Sequence, residues 1–259
     1  MFGGYSTVID DDTPIDAAYV EGDGMGRGYI PRDWDAEPYG SVAEPLPSSF
    51  LIPRSEWADR IRERQKQKAG LVEMSKRIGL DVLNQSQTNY CWANGVVRCL
   101  ELMDAKEGGG VTRLSPASVA APITNYRNVG GWGSQAHKYI RANGVAPQSV
   151  WPPNAISSQY FGPSQEVRKN HGIVEWFEVP SRNFEAVISL VLQDIPVAVA
   201  FNYWRHLVCA TDAVLEGNQV GLVIDNSWGT GWGDNGRGVL VGSRAIPDEA
   251  CCVRVTIPG

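Results

Sequence analysis

At Gly172 the periodicity of the sequence switches. From there it breaks into short runs, GIVEWFEVP, PVAVAF, HLVCATDAVL, QVGLVIDNS and GRGVLVG, rich in β-branched and aromatic residues and separated by turn formers. Runs of this length and composition predict strands. One longer apolar segment, NFEAVISLVLQ, interrupts them as a helix. Upstream the spacing is helical. Trp92, Val96, Cys99, Leu100 and Met103 recur on one helical face. LSPASVAAP predicts a short helix with Ser115 as N-cap and Pro116 at its first position, and SQAHKYIRANG a third helix, capped by Ser134 and stopped at Gly144. A helical half followed by a strand-rich half is an α+β chain, and the cleft between the halves is the natural place for a site.

Four stretches follow from composition and pattern. Residues 1–50 are Gly- and Pro-rich and carry ten acidic residues against two arginines. No period holds there. The stretch is either a loose tail or an extended arm, with Tyr19, Tyr29, Trp34, Tyr39 and Phe50 spaced as anchors. Residues 51–80 form a basic helical segment, with Ser55 as N-cap, a break near Gly70 and a stop at Gly79. The acidic arm either packs on this basic helix or leaves it solvated. Residues 81–165 are the helical subdomain, and residues 166–259 the strand-rich one.

Composition excludes several classes. A net charge of −6 argues against a binder of duplex nucleic acid. No apolar run approaches the roughly 20 residues that cross a bilayer, so no membrane partner is expected. The start, MFGGYSTVIDDDTP, has neither the basic nor the apolar region of a secretion signal. The five cysteines lack framework spacing, and no CxxC or His/Cys cluster suggests a metal or a cofactor. Reduced thiols point to a cytoplasmic or virion-associated protein.

Chemistry concentrates at NQSQTNYCWA, residues 84–93. Cys91 sits where a polar loop becomes a helix, and unpaired N–H groups at a helix start favour a thiolate. It is either a nucleophile or a small core residue. A nucleophile needs a base, and the chain has three histidines. His137 and His171 read as surface rings. His206 opens a predicted strand, either as a structural ring or as a base. In IDNSWGTGWGDNG, Asn226 has the carboxamide that would orient an imidazole, and Trp228 and Trp232 the rings that would keep water from it.

Taken in order, these segments resemble the papain-like cysteine peptidases, the family of the cathepsins, over approximately residues 81–242. The carrying residues are Gln85, Cys91, Trp92 and Ala93; LSPASV at 114–119; NVGGWG, with Gly130 and Gly131; His206; and NSWGTGWGDNG. The resemblance implies a papain-like fold, a helical left subdomain facing a β-barrel-like right one, and hydrolysis of peptide bonds in a peptide or protein substrate. It implies Cys91 as nucleophile, His206 as base and acid, Asn226 as orienter, and Gln85 as oxyanion donor. Gly130, Gly131, Trp132, Leu207 and Trp228 would line the substrate cleft.

The chain also departs from the family. Thr88 and Val129 stand where a disulfide is usual, and Tyr90 precedes the nucleophile in place of serine. Only nine residues separate Pro196 from His206, and Leu207 takes the place of a small residue in the main specificity pocket, which predicts a shallow or filled pocket. No removable inhibitory propeptide is recognisable, so the enzyme is made active, is weak, or is guarded by residues 1–50. The alternative is a papain-like scaffold serving as a structural component of a larger assembly such as a phage or virus particle, with residues 1–50 as its contact.

Overall fold

The strand-rich half forms one sheet, and its two edges are supplied from the other end of the chain. The computed structural model describes residues 3–14, 25–108 and 110–257. Each predicted run is a strand: β3 (Gly172–Val179), β4 (Val197–Phe201), β5 (His206–Glu216), β6 (Gln219–Asp225) and β7 (Arg237–Leu240). An unpredicted strand, β8 (Glu249–Ile257), follows them. The order is β1-β7-β6-β5-β4-β8-β3-β2, where β1 is Val8–Ile9 and β2 is Glu44–Pro45. Interior neighbours are antiparallel, whereas β1 on β7 and β2 on β3 are parallel. The two ends of this order do not pair with each other, so the sheet is barrel-like without closing. Short edge strands leave little backbone free for a further chain to pair with.

Among the described residues the helices are α1 (Arg54–Gln67), α2 (Leu71–Arg77), α3 (Cys91–Lys106), α4 (Ala117–Ile123), α5 (Gly133–Asn143), the single turn α6 (Phe161–Ser164) and α7 (Phe184–Val191). α3 packs on β4, β5 and β8 and on α5, while α1 and α7 pack against β5. The central strands are therefore buried on both faces, which is why VAVAF and HLVCATDAV read as continuous apolar runs. The tryptophans divide accordingly: Trp92, Trp151 and Trp176 fill the core that includes α3, and Trp57, Trp204, Trp228 and Trp232 the core on the other side.

Several expected boundaries shift. α1 starts at Arg54 behind Pro53, which places Ser55 inside the helix. α1 and α2 are separated by left-handed Lys68 and by Gly70, which matches the predicted break. Pro116 precedes α4, and Ser115 Oγ accepts from the Ser118 amide at 3.4 Å. Ser134 lies within α5, because the extended residue before that helix is Trp132.

Among the described residues, no ion pair joins the arm to α1. Arg64 pairs instead with Asp194 at 2.5 Å and Asp212 at 3.1 Å, both from the strand half. The arm is held by backbone pairing and by aromatic anchors. Tyr5 and Val8 pack on Val72, Val214 and Val239. Trp34 lies over the Arg32 guanidinium, whose partner is buried Glu178, and Phe50 meets Phe177 at 5.6 Å between ring centres. The anchor at Tyr19 lies outside the described residues.

Candidate active site

The loop before α3 is closed by its own polar groups. Thr88 Oγ1 donates to the Gln85 carbonyl at 2.7 Å, and Trp92 Nε1 donates to the Asn89 carbonyl at 3.1 Å. Tyr90 is the last non-helical residue, and Cys91 opens α3 as expected. The Tyr90 ring turns into the core. It is buried, with its hydroxyl donating to the Arg127 carbonyl at 2.8 Å. Cys91 is itself fully buried, and burial pushes its thiol up to about 12. The backbone amides of Leu207, Tyr29, Gly28 and Trp92 oppose that shift from around the sulfur. Here the cost of desolvating an anion outweighs the help of a helix start.

His206 opens β5, next to the Leu207 amide that faces the Cys91 sulfur. Its Nε2–H donates to Asn226 Oδ1 at 2.8 Å, and the same oxygen accepts from the Ser227 amide at 2.7 Å. An oxygen can only accept, so the neutral ring carries its proton on Nε2 and keeps Nδ1 as the basic nitrogen. That Nδ1 is buried without a hydrogen-bond partner. Trp204 and Trp228 lie 4.9 and 4.8 Å from the imidazole centre and exclude water from the pair. Burial pushes His206 down to about 4, opposed by the Asn226 hydrogen bond and reinforced by the charge of Arg27.

Gln85 joins the two halves. Its Oε1 accepts from Ser227 Oγ at 2.5 Å, and its backbone amide donates to the Ser227 carbonyl at 2.7 Å. Its Nε2 donates to the Thr88 carbonyl at 2.8 Å and to the Gly26 carbonyl at 2.7 Å. Trp228 Nε1 donates to the same Gly26 oxygen at 3.3 Å. Gly26 belongs to the arm, and its carbonyl accepts from both Gln85 and Trp228. The arm continues past Gly131 in a parallel bridge. The Gly131 amide donates to the Gly28 carbonyl at 2.9 Å, and the Ile30 amide to the Gly131 carbonyl at 3.0 Å. A Cβ on Gly28 would lie 2.0 Å from the Asn89 carbonyl oxygen, so only glycine lets the strand sit this close.

A model of the papain family of cysteine proteases matches residues 73–221. The chain belongs to that family. Among its relatives, cathepsin K of Gallus gallus is 29% identical over 60% of this chain, and cathepsin K of Mus musculus 27% identical over 79%. The chain spans 53% and 66% of the lengths of those two proteins. Among solved structures, the digestive procathepsin L 3 of Tenebrio molitor larval midgut superposes with a TM-score of 0.64 at 20% identity, covering 95% of this chain and 82% of that one.

On this papain-family frame the predicted residues fall as follows. Gln85, Cys91, His206 and Asn226 come to the junction of α3, β5 and the end of β6, with Gly131 and Trp228 both bonded to the arm. Gly130 lies against the Gly28 carbonyl, and Trp132 ends the Gly-Gly loop half-buried. Leu207 is buried in space left by Gly95 and Gly133. All five cysteines are unpaired. Two readings need correction. His137 is wholly buried, stacked on Trp176 at 4.6 Å, and His171 is buried 3.7 Å from Asp104. Their polar flanks misled because Trp176 of β3 covers the first ring and Asp104 of α3 lies beside the second.

Sequence reasoning missed the clamp behind Asn226. Asp225 is buried between Arg98 of α3 and Arg237 of β7, each Nε donating to it at 2.8 Å. The clamp ties α3, which Cys91 opens, to the strand that ends beside Asn226. Arg98 sits among the apolar residues of its helix, and that placement was the available signal.

Proposed function

We propose that this chain is a papain-type cysteine peptidase held latent by its own residues 25–32, acting on peptide or protein substrates once that stretch leaves the cleft. The observation that carries the reading is the Gly26 carbonyl, bound by Gln85 Nε2 and Trp228 Nε1 beside the His206–Asn226 pair. The arm gives the oxyanion donor a carbonyl but turns amide donors, those of Gly28 and Tyr29, toward the sulfur. With the thiol near 12 and the imidazole near 4, both are neutral at pH 7, so the closed cleft holds no ion pair. The structural neighbour in Tenebrio molitor is likewise a procathepsin.

Opening the cleft readmits water and reverses both burial shifts. His206 Nδ1 then takes the Cys91 proton. The thiolate attacks the substrate carbonyl carbon, forming a C–S bond, and the oxyanion is held by Gln85 Nε2 and the Cys91 backbone N–H. Collapse breaks the C–N bond, and the imidazolium protonates the leaving amine. Water, deprotonated by His206, then attacks the thioester and releases the acid and the thiol. Removing the Gln85 donor costs on the order of 10²–10³ in kcat.

The test is covalent labelling of the full-length chain by a peptidyl epoxide, read by mass. The Gly28→Val protein is expected to label on Cys91 alone and to cleave peptides, and the unaltered chain to label slowly. Equal labelling of Cys91, Cys99 and Cys209 in the opened protein, with no cleavage, would instead favour a scaffold.

A further inference from the structure

One guanidinium touches three of the segments that carry the candidate site. Arg98 follows Cys91 by about two turns of α3, so the two share a helix face. Its Nη2 donates to the Leu80 carbonyl at 3.0 Å and its Nη1 to the Asp81 carbonyl at 3.1 Å, in the segment that leads to Gln85. Its Nε and Nη2 both lie 2.8 Å from Asp225 Oδ2. Asp225 ends β6 and immediately precedes Asn226. Its other oxygen is taken by Arg237, whose Nη2 donates to Ser75 Oγ at 3.0 Å.

The Asn226 carboxamide depends on its backbone for placement. Its Oδ1 accepts from His206 Nε2 and from the Ser227 amide, while its Nδ2 is buried without a hydrogen-bond partner among the described residues. No bond made by Nδ2 holds the group, so the end of β6 decides where Oδ1 stands. A buried ion pair is a poor device for stability alone, because desolvation of the charges offsets their attraction. Arg98 and Asp225 are each 2% exposed, and apolar side chains of similar volume could join the same elements at no greater cost. What the ions add is direction, since a planar guanidinium fork fixes a carboxylate in angle as well as in distance.

We infer that Arg98 and Asp225 are positioning residues for the thiol chemistry: the pair sets Asn226, and through it the His206 imidazole, in register with Cys91 and Gln85. Both act through Asn226 rather than on the reacting atoms. Arg98→Lys keeps the charge and loses the fork, whereas Asp225→Asn keeps the shape and loses the charge. Either change frees the end of β6 to shift against α3, and a misplacement of about 1 Å costs on the order of 10² in rate. The inference rests on the peptidase reading above and adds the groups that hold its four residues together.

The experiment reads the hydrogen bond itself. The chain has three histidines. In full-length protein isotopically labelled at histidine, NMR follows the solvent exchange of two buried ring N–H groups. One is His206 Nε2–H on Asn226, and the other His137 Nδ1–H on the Gly133 carbonyl, a contact of 2.8 Å. Arg98→Lys and Asp225→Asn are each expected to speed exchange of the first at least tenfold and to leave the second within twofold. Equal acceleration of both reports a general loosening of the fold and overturns the positioning role, as does no change in either. In the Gly28→Val background the same substitutions should lower kcat at least tenfold and leave KM within twofold; an unchanged kcat overturns the inference and leaves the peptidase reading standing. Arg98→Lys decides the matter if the asparagine variant does not fold. Gly28→Val protein that cleaves no peptide with Arg98 and Asp225 intact overturns the peptidase reading and this inference with it.

Discussion

The two ends of the N-terminal arm bind the same body by different chemistry. Residues 5–13 extend a sheet edge: β1 pairs with β7, the Ser6 and Thr7 amides donate to Asp234 at 2.9 Å, and the Ser243 amide and hydroxyl donate to Asp11. Those clips are exposed and touch none of the candidate site residues. Residues 25–32 instead lie in the cleft, held by glycine backbone, by the buried Tyr29 and by the Arg32–Glu178 ion pair. The contrast teaches that attachment and occlusion are separable. The edge stretch fastens the arm, while the second stretch covers the thiol, and only the second touches the candidate site residues.

The largest expected effect tests whether occlusion concerns the thiol at all. In the Gly28→Val background, Cys91→Ala should abolish epoxide labelling and peptide cleavage while circular dichroism stays unchanged; residual cleavage would remove Cys91 from the mechanism. Next, Arg32→Ala leaves Glu178 buried and unpaired, which should cost about 3–5 kcal/mol of stability in denaturant titrations. Gly28→Val alone, by clashing with the Asn89 carbonyl, should raise the rate of Cys91 labelling at least tenfold. A matched change in the edge stretch should not. Asp234→Ala is expected to cost under about 1 kcal/mol and to leave labelling as it was.

The two stretches should also respond to pH with opposite signs. Burial raises Glu249 from the usual 4.5 to about 7. The closed cleft therefore favours its protonated form, an advantage that is complete below about 4.5 and lost as pH rises through 7. The window from about pH 6.5 to 8 brackets that loss, and Glu249→Gln separates it from proton transfer between Cys91 and His206. Amide-exchange protection of residues 26–30 should fall across that window, and the fall should vanish in Glu249→Gln. Asp234 is held below its usual value by the Ser6 and Thr7 donors despite some burial. Residues 6–9 should therefore loosen only in acid, as pH falls through that depressed value.

Much of the site was legible because its chemistry is local. Cys91 had to open a helix, since a polar loop meets an apolar period there, and Asn226 had to sit in a glycine-rich turn at a strand end. Glu249 was not legible. It stands in a stretch without alternation, and its burial arises from a strand pairing with β4 and from Tyr29, 220 residues away in sequence. The burial of His137 and His171 escaped for the same reason, because flanking polar residues report the local face and not what folds over it.

The sequence by itself determined the α+β order, the family and the identity of the four residues at the junction, because periodicity and turn chemistry are properties of neighbouring residues. The tertiary structure alone decided that the arm lies against the candidate site, that burial favours the neutral thiol and imidazole, and that Glu249 is buried beside Tyr29. Those facts depend on which groups exclude water from which others, and burial is set by contacts between segments far apart in the chain.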